Sequence, residues 1–166
     1  LTFLCSSTKQ IPQIKQICND LAQVFGDELY PGWHKLPRWE QIHAADEDAL
    51  RDCRLGYRAR YLKGTAAHLN THPGWLDDLE SLPYLEARER LIALPGVGGK
   101  IADCVLLFGA KRLEAFPVDT WILKAMSRRY ELTGWHPEQI AHFGRVHFGP
   151  YAGLAQQFLF SGERNA

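Results

Sequence analysis

An all-α fold is what this sequence predicts, on three observations. Apolar residues recur at helical spacing through most of the chain, proline and glycine punctuate the segments between them, and no stretch shows the alternation of a strand. At 166 residues and 46% hydrophobic content, the chain suffices for one domain with a real core and falls short of two independent ones, so a single domain over 1–166 is expected. It opens at Leu1 on the apolar run Leu1-Thr2-Phe3-Leu4-Cys5, which reads as a fragment of a longer chain.

The first helix is expected from Ile11 to Phe25, where Ile14, Ile17, Cys18, Leu21 and Val24/Phe25 repeat, Pro12 lies in the first turn and Gly26 is the stop. A loop rich in Pro, Gly and Trp from Tyr30 to Trp39 leads to two shorter helices, Arg38 to Ala44 and one capped by Asp46 that ends near Cys53. Gly56 opens a longer one, Tyr57 to Leu69. Ser81 with Pro83 starts a helix to about Ala93, Leu94-Pro95-Gly96-Val97-Gly98-Gly99 interrupts it, and a further helix runs from Lys100 to Phe108. Asp119 is placed to cap a helix through Ile122, Met126 and Tyr130, and two more start at Pro137 and near Pro150.

Formal net charge is zero, so overall charge does not point to a polyanionic partner. Locally the charges are sorted. Arg51, Arg54, Arg58, Arg60 and Lys63 face Asp52 alone, while Asp77, Asp78, Glu80, Glu86 and Glu89 lie later; a solvated face also sorts charge this way. Cys5, Cys18, Cys53 and Cys104 are scattered without C-x-x-C pairing, which encodes neither a disulfide scaffold nor a zinc or iron-sulfur site and fits a reduced, intracellular protein. No apolar run approaches the roughly 20 residues of a membrane span, and no signal-peptide pattern precedes the domain.

Gly96, Gly98 and Gly99 remove Cβ atoms from a tight turn before a helix, so backbone N–H groups there can approach an anion. An ordinary helix-helix turn would use the same glycines. The whole string Leu94 to Ala102, followed by Pro117-Val118-Asp119-Thr120, resembles the helix-hairpin-helix signature with downstream Asp of a superfamily of base-excision DNA glycosylases. The resemblance implies a hairpin that binds DNA phosphate through Gly96, Val97, Gly98 and Gly99. It also implies an alkali cation (Na or K) on the backbone carbonyls of Ile92, Leu94 and Val97, and no required cofactor.

Lys100 stands in the first turn of a helix, where the macrodipole opposes an ammonium and favours the neutral, nucleophilic amine; a phosphate-binding or solvated lysine is the alternative. Asp119 has a sufficient structural task as a cap. As a pair in segment 100–130 they point to more. Departure of a base builds positive charge on deoxyribose, which a carboxylate stabilises while an amine attacks, giving a Schiff base and then β-elimination.

Within the superfamily the chain resembles the 8-oxoguanine DNA glycosylases almost end to end. The strings are Phe3-Leu4-Cys5-Ser6-Ser7, Leu55-Gly56-Tyr57-Arg58-Ala59-Arg60-Tyr61, the hairpin through Ala102-Asp103-Cys104, Pro117-Val118-Asp119, and Gly149-Pro150-Tyr151-Ala152-Gly153 with Ala155-Gln156 and Leu159-Phe160. The resemblance implies that Lys100 forms the Schiff base, Asp119 is the catalytic carboxylate, Cys104 and Phe160 face the everted base, and Gln156 bonds its Watson–Crick edge. Arg58 would read the orphaned cytosine and Tyr57 would wedge against the neighbouring stack. By residue type alone Cys104 and Phe160 serve equally as core, Gln156 as a surface amide and Tyr57 as a packing aromatic. The implied partner is damaged double-stranded DNA, bound by a monomer without a membrane.

The sequence departs from that family in places. Thr8, Lys9 and Gln10 occupy an asparagine-rich segment that fills the gap in the duplex, Gln13 stands at a second cytosine-reading arginine, and Trp121 replaces a histidine of animal members. The N-terminal β-rich domain of long members, which helps to distinguish the oxidised base from guanine, has no counterpart in these residues. The competing readings are a glycosylase for another damaged purine, against which Gln156 and Phe160 argue, and a non-catalytic helix-hairpin-helix DNA-binding module, which needs neither Lys100 nor Asp119.

Overall fold

Proline in front and glycine behind bound the first long helix, α1 (Ile11–Phe25), as predicted: Pro12 lies in its first turn and Gly26 ends it. The computed structural model describes residues 1–165. The expected single domain divides internally into two compact units, Leu1–Leu76 with Ala93–Gly96, and Asp77–Ile92 with the residues from Val97 onward.

The first unit opens with a 3-10 turn, Thr2–Cys5, that buries Leu4 and Cys5. In α1, Ile17 and Leu21 face inward. The loop after α1 contains a small antiparallel pair, β1 (Glu28–Tyr30) and β2 (Trp33–His34), which corrects the expectation of no strands. It carried no alternation because β1 is exposed throughout. Tyr30 pairs with Trp33 across Pro31 and Gly32, and Gly32 at φ +80° suits the second central position of a turn that proline begins.

Next come α2 (Trp39–Ala44) and α3 (Glu47–Leu50). The helix expected to end near Cys53 continues past α3 as a widened turn, Arg51–Leu55, in which Cys53 and Arg54 leave helical geometry, Arg54 at φ +63°. Asp46 precedes α3 without a side-chain capping bond. Then α4 (Arg58–Thr71) packs on α2 and buries Ala59, Leu62, Ala66 and Leu69. Thr65 Oγ1 donates to the Pro95 carbonyl at 3.4 Å, which ties the start of the glycine hairpin to α4.

The second unit contains α5 (Tyr84–Ile92), α6 (Gly99–Phe108), α7 (Thr120–Tyr130), α8 (Pro137–Phe148) and α9 (Ala152–Arg164), with 3-10 turns at Asp77–Glu80 and Gly149–Tyr151. Ser81 does not cap α5; its hydroxyl donates to the Asp78 carbonyl. The core of this unit gathers Phe116, Ile122, Met126, Ile140 and Ala152, with Leu159 and Phe160 packed at its margin. No helix among the described residues is long and apolar enough to cross a membrane.

Phe116 is fully buried and reaches α8 at Gly144, where a Cβ would lie 2.5 Å from the ring. Gly144→Ala therefore overpacks the core, at a cost of about 1–3 kcal/mol, and the expected drop of several degrees in melting temperature is readable by calorimetry. An unchanged melting temperature would mean that the ring yields freely.

Candidate active site

Helix α6 begins where the hairpin ends. Gly98 is its N-cap, extended at φ −100° and ψ 178°, and no side chain caps the first turn, so the N–H groups that every helix start leaves over are not taken by a cap. Lys100, its second residue, is exposed, and no hydrogen bond or ion pair ties it to another described residue. Cys104 follows one turn later on the same face and is buried.

Asp119 is the N-cap of α7. One oxygen, Oδ1, accepts from the N–H groups of Trp121 at 3.0 Å and Ile122 at 2.9 Å. The other oxygen accepts no hydrogen bond from a described residue. The capping role expected from sequence is thus present and leaves half of the carboxylate for other work.

Lys100, Cys104 and Asp119 come together electrostatically. Burial pushes the Cys104 thiol up to about 11, the charge of Lys100 acts against that, and the charges of Asp103 and Asp119 add to it. Buried Cys104 is therefore a neutral wall that feels the charge of both an amine and a carboxylate.

Helix α9 brings two more residues. Gln156 is buried; its Nε2 donates to the Pro117 carbonyl at 2.9 Å, two residues before Asp119, and its Oε1 accepts from Gln157 at 2.5 Å. One amide N–H and one lone pair remain. Phe160, one turn further on the same face, packs against the core cluster while the Arg164 guanidinium lies 6.0 Å from its ring centre. On α7, Lys124 lies 4.8 Å over the ring of Trp121.

Sequence reasoning missed the charged network behind α6. Asp103 is almost fully buried and accepts at one oxygen from Tyr84 at 2.6 Å and from Arg88 Nε at 2.9 Å. Arg88 also grips Glu138 on α8 at 2.8 and 2.7 Å, and Arg145 donates to the Tyr84 hydroxyl at 3.3 Å. Burial pushes the Asp103 carboxyl above its ordinary value against the pull of its partners, and it raises the Tyr84 hydroxyl too. The available signal was a charged residue on the apolar stripe of α6, between Ala102 and Cys104. Gly99 is explained by the same network, since a Cβ there would meet the Glu138 carboxylate and the Arg88 guanidinium. Gly98 has open space around it.

Arg58 and Tyr57 belong to the first unit. Arg58 is buried: Nη1 donates to the Leu55 carbonyl at 3.2 Å, and Nη2 donates to the Ser7 carbonyl, to Thr8 Oγ1 at 2.6 Å and to the Tyr57 hydroxyl at 3.1 Å, while Nε is buried without an acceptor. Thr8 adopts φ +55°, a region that asparagine tolerates better than a β-branched residue. Tyr57 exposes half its surface, and hydrogen bonds from Ser7 and Thr8 lower its hydroxyl below the usual range. Gln13 has a local task at the start of α1, where its side-chain oxygen accepts the Gln10 N–H at 2.9 Å. Among the described residues no cluster of His, Cys, Asp and Glu is arranged to hold a metal ion.

Fold and site together define a class: an all-α protein in which a glycine hairpin leads into a helix with an exposed lysine in its first turn, and an aspartate caps the start of the next helix. The chain belongs to the HhH-GPD superfamily of base excision DNA repair proteins, whose profile matches residues 1–147. It is 34% identical over 178 residues to the N-glycosylase/DNA lyase OGG1 of Arabidopsis thaliana, covering 98% of this chain and 48% of that protein. It is 37% identical over 117 residues to a probable N-glycosylase/DNA lyase of Methanothermobacter thermautotrophicus, covering 70% of this chain and 37% of that one. Among solved structures it resembles the 8-oxoguanine glycosylase/lyase of Clostridium acetobutylicum in complex with DNA containing cytosine opposite 8-oxoguanine, with TM-score 0.93 and 36% identity over 99% of this chain and 58% of that one. The chain thus spans well under two thirds of the length of these relatives.

Thiol chemistry tests the buried wall. At pH 8 Cys104 lies well below its titration point, whereas a hydrogen bond from Cys5 brings the Cys18 thiol down to about 7. Iodoacetamide followed by peptide mass spectrometry is expected to mark Cys18 and spare Cys104; equal labelling of the two would show that the wall is open and ionised.

Proposed function

We propose that this chain excises an oxidised purine, 8-oxoguanine, from double-stranded DNA and then nicks the strand at the resulting abasic site. The observation that carries this reading is an exposed, unbonded Lys100 in the first turn of α6 together with an Asp119 whose cap of α7 uses one carboxylate oxygen, in a chain of the base excision repair superfamily. Unprotonated Lys100 Nζ attacks C1′ of the deoxyribose, the bond from C1′ to the base breaks, and the base leaves with the electron pair and takes up a proton. Positive charge builds on the sugar as this happens, and the uncapped oxygen of Asp119 stabilises it. The lysine adduct opens to a Schiff base as the ring oxygen gains a proton. A proton is then lost from C2′, the C3′–O bond breaks and the strand is nicked, and water hydrolyses the imine to regenerate Lys100.

An enzyme acting at C1′ must take the nucleotide out of the stack. Cys104 as a neutral thiol and Phe160 as a ring would face the two sides of the base, and the remaining N–H and lone pair of Gln156 would meet its edge. On the opposite strand Tyr57 would act as the wedge, since half its surface is exposed. Arg58 would read cytosine only after exchanging its bonds to Ser7 and Thr8 for the base. Gly96, Val97, Gly98 and Gly99 would take DNA phosphate on the uncapped start of α6. A monovalent cation would rest on the carbonyls of Ile92, Leu94 and Val97; no hydrogen bond from a described residue ends on the last two. The chemistry requires no other cofactor. The relatives' names support the lesion class, and four free cysteines support a reduced, intracellular setting.

The test is borohydride trapping on a duplex with 8-oxoguanine opposite cytosine. Wild type is expected to form a covalent protein–DNA adduct and Lys100→Gln none. Asp119→Asn is expected to slow base release by about 100-fold or more with little change in melting temperature, because asparagine caps as well as aspartate. An adduct on an abasic duplex alone would move the lesion to another base, and no adduct on either duplex would leave a DNA-binding module.

A further inference from the structure

Five cations crowd the segment from Arg51 to Lys63, and four of them are committed within the protein. Arg51 pairs with Glu47 and with Asp48 at 2.7 Å, and Arg54 pairs with Asp20 at 2.8 Å. Arg58 is buried on backbone carbonyls, and Lys63 donates to the carbonyls of His43 at 2.6 Å and of Ala45. Arg60 differs from all of these. It is exposed, and no carboxylate of a described residue lies within ion-pair distance of it.

What holds Arg60 is an aromatic shelf. Its guanidinium carbon lies 4.8 Å from the ring centre of Tyr61, and Nη2 donates to the Tyr61 hydroxyl at 2.9 Å. The Tyr57 ring meets Tyr61 edge-on at 6.0 Å between centres. Tyr61 in turn packs on the hairpin at Gly96, whose φ is +76° and where a Cβ would lie 2.5 Å from the ring. An unneutralised guanidinium is thereby held on a ring that the hairpin supports, and its orientation is restricted before any ligand arrives.

We propose that Arg60 is a DNA-phosphate contact, a sequence-independent anchor carried on Tyr61 beside Gly96. This rests on the reading of the chain as a DNA-binding enzyme. A planar guanidinium matches phosphate oxygens, and stacking on the tyrosine reduces the freedom lost on binding. A phosphate contact carries no base information, so it strengthens binding to damaged and undamaged duplex alike. Each phosphate neutralised also releases condensed counterions, which leaves a countable mark on the salt dependence.

Binding of the whole chain to 8-oxoguanine and undamaged duplexes is measured by fluorescence anisotropy from low to moderate salt, with thermal melts of each variant alongside. Arg60→Gln is expected to weaken both complexes by the same factor, about 3- to 10-fold, and to reduce the slope of log K against log salt concentration by about 0.9. Arg60→Lys retains most of that slope because it retains the charge. Arg51→Gln removes the same formal charge from a residue already paired with Glu47 and Asp48, and it leaves the slope at its wild-type value. A wild-type slope in Arg60→Gln, with wild type binding DNA, overturns the contact and spares the DNA-binding reading. An equal loss in Arg51→Gln overturns it in favour of bulk charge. Wild type without salt-dependent binding overturns both readings together.

Discussion

Asp103 has almost no contact with solvent, and the attachment of α6 to α5 runs through its carboxylate. A buried carboxylate is costly unless paired and hydrogen-bonded, and here Tyr84 and Arg88 of α5 supply both conditions. Arg88 then extends to Glu138, so α5, α6 and α8 are joined through one chain of charged bonds. Breaking such a pair by removing one member leaves an uncompensated charge inside, typically about 3–5 kcal/mol. The network also occupies the space beside Gly99, so a side chain there would have to displace the Glu138 carboxylate and the Arg88 guanidinium.

The second wall is built by economy of one side chain. Asp119 satisfies two N–H groups of α7 with a single oxygen, and the helix start cannot shift without losing them. Behind it, Phe116 and Ile122 are fully buried, and the Pro117 carbonyl between them and the cap anchors Gln156 from α9. Core packing and cap therefore belong to one continuous stretch, Phe116 to Ile122, which α9 joins through the bond from Gln156 to the Pro117 carbonyl. A carboxylate at the end of so constrained a segment is preorganised, which is the condition for electrostatic stabilisation of a developing charge.

Most helices were legible because their boundaries are written in local chemistry. Pro12 and Gly26 bound α1, Asp119 caps α7, and Pro137 opens α8. The failures were also local. Ser81 and Asp46 have the right chemistry for caps, but the Ser81 hydroxyl turns back to a carbonyl and Asp46 makes no capping bond. The short pair β1 and β2 is exposed and so carries no hydrophobic alternation to read. Arg58 looked like a member of a solvated basic run, and it is one of the few charged residues that the fold buries.

By itself the sequence determined the all-α class, the glycine hairpin and the two residues, Lys100 and Asp119, that start successive helices around it. Those features depend on φ preferences, capping and periodicity, which act over a few neighbouring residues. Tertiary structure alone decided which glycine serves which purpose, which of five neighbouring cations are neutralised, and that the charges of Lys100 and Asp119 both act on the buried Cys104. Those outcomes depend on groups far apart in the chain, as with Gly99 against Glu138, Arg54 with Asp20 and Gln156 with Pro117, and Coulomb and steric forces act through space whatever the separation in sequence.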